Sequence, residues 1–592
     1  MANIMSMKSI RNKPSRNGFD LSRKFNFTAK VGELLPTMVV EVLPDDSFVI
    51  DLKSFVRTQP INTAAFARIR EYYDFYFVPY DLLWNKSNTL LTQMLDNSQH
   101  ATSFDPAANQ NLSGVMPYLT TNQIVNYVRS LRALAPDSPL EGYTTNYFGY
   151  ERSTCTCKLL EYLGYGNYFP IDSDQSGAPK AKPFVNLEFN PFGLAAYQKI
   201  YADYYRDSQW ENVSPSTFNF DYITGTGDTN LPLKFDEDSD LSVYKSYNLF
   251  DLRYCNWQKD LFHGVLPRQQ YGDVAMVSPD VSLTSSTIGF DALRASPASI
   301  SDSSLTTGVG DLVSPVASFS SSFSILALRQ AEFLQKWKEI VQTADKDYRD
   351  QIQKIWGVSG SDATSEKCTY LGGISSSLDI NEVVNMNITG DNGADIAGKG
   401  TGVSNGYIRF DANNRFGLLM CIYHALPLLD YTTDYINPSF TRVNAQDFAN
   451  PVFDRVGMEL VPLSSMLNPI VADESDPLNK LSPGYLGYAP RYIDYKTAID
   501  LSVGGFKRSL SSWVISYGNQ SVIEQLAAVK GAVLPGGAVD DVNFTMFKVN
   551  PNCVDSIFGV NADSSVDTDQ LLCSTFFDIK VVRNLDVDGL PY

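Results

Sequence analysis

The sequence predicts a mainly β chain, one β-sandwich carrying large insertions, and three observations predict it. Strand-like runs stand near both ends of the chain, Tyr and Phe are abundant at 33 and 34 residues, and the run around Tyr73 alternates with a two-residue period. Aromatic side chains suit pleated surfaces and subunit contacts, where the ring packs and a hydroxyl stays wet. A length of 592 residues allows several domains or one swollen β domain, and the absence of an internal repeat favours the second. Hydrophobic residues at 44% against charged residues at 19% exclude a disordered chain.

The first 30 residues form a basic arm. They hold Lys8, Arg11, Lys13, Arg16, Arg23, Lys24 and Lys30 against a single acid, Asp20. With Pro14, Gly18 and no apolar period, the arm is expected to be extended unless a partner orders it. Three strand-like stretches follow at 25–44, 47–59 and 66–84. In the third, Tyr73, Phe75 and Phe77 share one face, as a core-facing strand requires.

Residues 96–189 and 278–322 lack regular patterning and read as surface insertions. Between them Asn190 and Pro191 offer a helix cap and first-turn proline, and Leu194, Tyr197, Tyr201, Tyr204 and Tyr205 recur at helical spacing. A long helix is expected over 323–356, where Leu334, Trp337, Val341, Ala344, Tyr348, Ile352 and Ile355 are three or four apart and Gly357 is the stop. Strand-like runs resume at 378–387 and 407–426, the latter centred on DANNRFG, which reads as a hairpin loop. The last run is 576–585. The whole chain, 1–592, reads as one elaborated domain.

The net charge of −19 excludes a protein whose entire surface wraps nucleic acid, so contact with phosphate is expected to be local. Seven scattered cysteines do not make a disulfide framework, which fits a reducing cytoplasm. The most apolar window, 416–429, is shorter than a membrane span and holds His424 and Pro427, and residues 1–20 lack the apolar core of an export signal. No membrane span is expected.

Several segments, in order, resemble the major capsid protein family of Microviridae, the small icosahedral single-stranded DNA phages, nearest the gokushovirus-like or related gut-phage branch. They are SRNGFDLSRKFNFTAKVGELLP (15–36), RTQPINTAAFARIREYYDFYFVPYDLLW (57–84), AYQKIYADYYRD (196–207), LRYCNWQKDLFHGVLPRQQYGD (252–273), ILALRQAEFLQKW (325–337), YLGGISSSLDINEVV (370–384), FDRVGMELVP (453–462), GYAPRYIDYKTAID (487–500) and GGFKRSLSSWVI (504–515). Neither 96–189 nor 278–322 aligns with the family pattern.

The resemblance implies an eight-stranded antiparallel jelly-roll β-sandwich of viral capsid type with long loop and helical insertions. It implies a T=1 shell of about sixty copies, closed by repeated heterologous contacts, around a circular single-stranded DNA genome. The implied partners are other copies of the chain, the genome, phage scaffolding, pilot and small DNA-binding proteins, and a host surface receptor met by outer loops. The implied location is the virion, after assembly in the host bacterial cytoplasm. No catalytic residue and no cofactor is expected.

The residues themselves offer few alternatives. GADIAGKG at 393–400 approaches the phosphate-binding GxxxxGK[ST] pattern, but Gly400 replaces the Mg²⁺-binding hydroxyl, so it reads as a flexible loop. The three histidines, His100, His263 and His424, are too few for a His-rich metal centre, and His424 sits in an apolar run as a hydrogen-bonded core residue would. Cys155 and Cys157 lack a second pair at zinc-binding spacing. Asp236, Glu237, Asp238 and Asp240 could together bind Ca²⁺, though a solvated loop explains them as well. The cluster tied to function is the arm: Lys8, Arg11, Lys13, Arg16, Arg23 and Lys24 to neutralise phosphates, with Phe19, Phe25 and Phe27 to stack on bases. Its competing role is pairing with acidic neighbouring copies. A carbohydrate-binding sandwich and a hydrolase using His263 or His424 are the rival classes, and only a shell protein predicts closed particles.

Overall fold

The computed structural model describes residues 14–61, 65–92, 116–133, 152–171, 185–211, 215–223, 249–275, 280–283, 319–322, 325–345, 347–359, 365–384, 396–412, 414–462, 465–466, 485–518, 544–554, 557–558 and 569–588. The chain divides into two compact units, one of residues 1–267 with 361–592 and one of residues 268–360.

The first unit is built on a nine-stranded antiparallel sheet. Its strands are β1 (Asn17–Asp20), β2 (Arg23–Ala29), β3 (Leu35–Val42), β4 (Ser47–Thr58), β5 (Ile69–Pro79), β6 (Thr369–Val384), β7 (Ile396–Asp411), β8 (Gly417–Pro427) and β9 (Leu571–Arg583). The order is β1-β9-β4-β7-β6-β5-β8-β3, with β2 also on β9. The sixteen-residue β6 turns the corner: Thr369 to Leu378 pair with β5, and Asp379 to Val384 pair with β7. The sheet therefore curls into two leaves, β3-β8-β5-β6 and β2-β9-β4-β7, and from β2 onward the chain alternates leaves except at β5 and β6, an order consistent with a jelly roll.

Side-chain contacts show the leaves facing each other. Phe27 of β2 meets Tyr423 of β8 with ring centroids 5.0 Å apart, and Phe77 of β5 meets Phe410 of β7 at 4.8 Å. Tyr73 and Phe75, predicted to face the core, are fully buried, and so are Phe48 and Phe577 from the other leaf. Each such phenylalanine contributes about 1.5–3 kcal/mol relative to exposure.

The two leaves differ on their outer faces. Helix α1 (Thr121–Ala133) packs on α2 (Arg152–Leu163), α2 packs on β3, and α3 (Phe192–Ile200) packs on β5 and β8. Accordingly nine consecutive residues of β8, Gly417 to Ala425, include no exposed one. Both helices α1 and α2 come from the 96–189 stretch and bury Ile124, Val128, Leu159 and Leu160 in the main core. On the other leaf, β4 and β9 alternate buried and solvent-facing residues along their lengths, as a sheet with one bare face does.

Three sequence expectations change in the first unit. The 25–44 stretch is two strands on different leaves, with Gly32 at φ 85° in the turn between them. DANNRFG is a crossover and not a hairpin, because β7 pairs with β4 and β6 whereas β8 pairs with β5 and β3. GKG belongs to β7 and not to a loop. Its Gly400 lies on the inner face, where a Cβ would stand 2.5 Å from Thr58 Cγ2 and 2.8 Å from Leu378 Cδ2.

In the second unit the expected 323–356 helix is two helices, α4 (Ile325–Thr343) and α5 (Tyr348–Trp356), and Gly357 caps α5 at φ 68°. Leu334 and Trp337, periodic in the sequence, are exposed. The described parts of 278–322 are two short paired strands, Asp280–Leu283 and Phe319–Ser322.

Candidate functional site

The six cations assigned to nucleic acid fall in different places. Lys8, Arg11 and Lys13 lie outside the described residues. Arg16 pairs with Asp45 at 3.3 Å and donates to Ser47 Oγ at 3.1 Å, so it anchors the end of the arm to the start of β4. Arg23 donates to the carbonyl of Val39 at 3.2 Å. Lys24 is exposed on β2. Of the phenylalanines expected to stack on bases, Phe27 is buried, whereas Phe25, 5.6 Å from Phe27 and 6.0 Å from Tyr162, and Phe19 are half-buried against the core.

The strand registers give Lys24 different neighbours. Lys24 stands opposite Phe576, which stands opposite Lys53, and Lys53 opposite Asn405. The next row on the same face is Asn26, Ser574, Phe55 and Val403, and the third is Thr28, Leu572, Arg57 and Thr401. Phe55 and Phe576 are each more than a third exposed, Val403 is 60% exposed, and the Arg57 guanidinium lies 4.9 Å from the centre of the Phe55 ring. Lys53 pairs with Asp51 at 3.8 Å, whereas Lys24 and Arg57 make no ion pair among the described residues. Asp578, Asp51 and the 63% exposed Tyr407 begin the row on the other side of Lys53.

A second feature was not visible in the sequence. The segment around 437–456 carries Phe440 and Val443 at 83% exposure and Val452 at 77%, with Phe448, Phe453 and Val456 also exposed. It is nonetheless held in shape. Asn437 Oδ1 accepts from the Ser439 amide at 3.0 Å, and the Asp447 carboxylate accepts from the amides of Asn444 and Val443 at 2.7 and 2.9 Å. Those amides hold the Asp447 carboxyl below the usual carboxylate range. Arg442 pairs with Asp494 and lies 4.1 Å from the Tyr495 ring centre, and Lys496 reaches Asp454 at 2.6 Å. The only sequence signal was large apolar residues without a period among Asn, Pro and Ser.

The chemically suggestive residues are structural. His263 Nδ1 lies 2.7 Å from the Tyr431 hydroxyl and 3.3 Å from Asp260, buried in a smaller second core with Phe262, Tyr517 and Phe547. His424 is buried as expected, stacked on Tyr72 at 4.8 Å, and burial pushes its imidazole down to about 3. Its Nδ1 nevertheless stands 3.8 Å from Asp74, beyond hydrogen-bond reach, and has no hydrogen-bond partner among the described residues, so that nitrogen is not satisfied as expected of a core histidine. Cys157 is buried on α2, and burial raises the Cys155 thiol to about 11. His100 and the acidic set Asp236, Glu237, Asp238 and Asp240 lie outside the described residues. Among the described residues no group of three or more His, Cys, Asp or Glu side chains converges on a metal site, and no helix is long and apolar enough to cross a membrane.

A family model described as "Capsid protein (F protein)" matches residues 8–129 and 172–592. The chain is 22% identical over 581 residues to Capsid protein VP1 of Chlamydia phage 1, covering 85% of this chain and 86% of that protein. Held beside a sandwich with one bare leaf and an ordered, uncovered apolar segment, these matches place the chain in the phage capsid protein (F protein) family, as a structural, non-enzymatic major capsid protein of Microviridae type.

Proposed function

We propose that this capsid protein closes into a T=1 icosahedral shell of about sixty copies around a circular single-stranded DNA genome. The observation that carries the reading is the 437–456 segment. An ordered loop that exposes several large apolar side chains is costly on a monomer, and subunit contact is the ordinary way such a patch is covered. Individual contacts need not be strong, because many weak ones act together and still let misplaced copies leave.

The basic arm, through Lys8, Arg11, Lys13, Arg16, Arg23 and Lys24, contacts the genome in this reading, and outer loops that include 278–322 meet the host receptor. Scaffolding, pilot and small DNA-binding proteins assist assembly in the host cytoplasm. Size-exclusion chromatography with negative-stain microscopy of the purified chain, alone and with its phage's scaffolding proteins, tests the reading. Closed particles of uniform diameter are expected, and monomers or small oligomers under both conditions would overturn it.

A further inference from the structure

We infer that the outer face of the β2-β9-β4-β7 leaf, which no described helix covers and which takes in Lys24 from the end of the basic arm, is a binding platform for single-stranded DNA. The assignment rests on the genome-enclosing reading above. Three facts converge on it. The opposite leaf is covered by helices, whereas this one presents alternating solvent-facing side chains. Its exposed band brings together cations from two strands that flank β9, Lys24 of β2 and Lys53 and Arg57 of β4, within a chain of net charge −19. Aromatic rings stand among those cations: Phe576 lies between Lys24 and Lys53 in one row, and Phe55 lies beside Arg57.

Adjacent strands are about 4.8 Å apart, so cations on either side of Phe576 are separated by about 10 Å, a span that lets a base cover the ring while phosphates pass on both sides. Base on aromatic stacking tolerates any base, as packing of a whole genome requires, and the positive band supplies the phosphate attraction that the acidic remainder lacks. A neighbouring copy is the competing occupant, and the exposed phenylalanines set at sheet register among the cations favour the nucleic acid.

The test uses the full-length protein and a 30-nucleotide oligothymidylate, read by fluorescence anisotropy against salt. Replacing Lys24, Lys53 and Arg57 by Gln is expected to weaken binding at least about tenfold and to reduce the slope of log affinity on log salt by about 2. Phe55→Ala with Phe576→Ala weakens binding, and Phe55→Tyr with Phe576→Tyr restores it, which a folding defect would not do. An iodouridine-substituted oligonucleotide is expected to crosslink to peptides containing Phe55, Phe576 or Tyr407. Unchanged affinity and salt slope in the triple variant, or crosslinks confined to residues 1–16, would overturn the assignment. So would loss of assembly with oligonucleotide binding intact, which gives the face to a subunit contact. Particle formation by the wild-type chain is scored in parallel, so a failed shell reading is distinguished from a failed platform.

Discussion

The hydroxyl oxygen of Ser54 lies 2.6 Å from that of Tyr73, joining β4 on one leaf to β5 on the other through the middle of the sandwich. Thr575 of β9 completes the group, 3.1 Å from Tyr73 and 3.2 Å from Ser54. Three buried hydroxyls satisfy one another there, and burial raises the Tyr73 phenol well above its ordinary value. Tyr73→Phe leaves Ser54 and Thr575 still paired and should cost about 0.5–1.5 kcal/mol. Tyr73→Ala opens a cavity between the leaves and should cost about 3–5 kcal/mol. Urea unfolding midpoints of the unassembled subunit measure both, and equal costs would show that the leaves do not pack through this ring.

Glu71, also on β5, is fully buried, and desolvation pushes its carboxyl up to about 7 although Tyr423 and Ser376 donate to it at 3.2 and 3.4 Å. The folded chain then holds this proton more tightly than the unfolded chain, whose ordinary value is 4.5. The associated stability is fully present below pH about 4.5 and is lost as pH rises to about 7, by about 3 kcal/mol in all. Other buried carboxyls titrate too, so the readable quantity is the difference between wild type and Glu71→Gln. That difference should decline across this window, and a flat one would place Glu71 in contact with water.

Lys158 on α2 reaches Glu33 at 2.7 Å and Asp569 at 2.8 Å in a site where all three side chains are nearly inaccessible. Burial alone would lower the Lys158 pKa, and the two carboxylates outweigh it and hold the ammonium charged. Burial raises Glu33 even so. Lys158→Met strands two desolvated carboxylates and should destabilise by about 3–5 kcal/mol at neutral pH, with Glu33→Gln and Asp569→Asn recovering most of it. The deficit should shrink in acid as the stranded Glu33 carboxylate, already raised by burial, takes up a proton. A thermal midpoint unmoved by Lys158→Met would mean that water reaches the site.

How much was legible in the sequence depends on where the pattern was made. Tyr73, Phe75 and Phe77 announced β5 because one face meets the other leaf and the period of two survives. The 416–429 window was apolar without alternation because β8 is covered on both faces. The start of β7 read as a loop because inner positions there are glycines: a Cβ at Gly400 would stand 2.5 Å from Thr58, and one at Gly402 would stand 3.0 Å from the Glu71 carboxylate. Lys24, Phe576 and Lys53 could not be recognised as one surface, since only the register of β2, β9 and β4 brings residues from opposite ends of the chain side by side.

The apolar 437–456 segment offers the sharpest test of assembly. Val443 and Val452 are 83% and 77% exposed, so aspartate there loses little packing in the isolated subunit. The side chains and amides that shape the segment, Asn437, Asp447 and the Arg442 pair with Asp494, are untouched by either change. Surface substitutions of this kind usually shift stability by less than about 0.5 kcal/mol. At a desolvated contact, by contrast, each carboxylate would be buried without a partner, at a cost of several kcal/mol. The Val443→Asp, Val452→Asp double variant should therefore unfold at the wild-type urea concentration yet fail to form particles. Val443→Ala with Val452→Ala, which removes contact area without adding charge, should raise the concentration needed for assembly without abolishing it. Particles formed by the aspartate variant at the wild-type concentration would place this segment on a free surface of the shell.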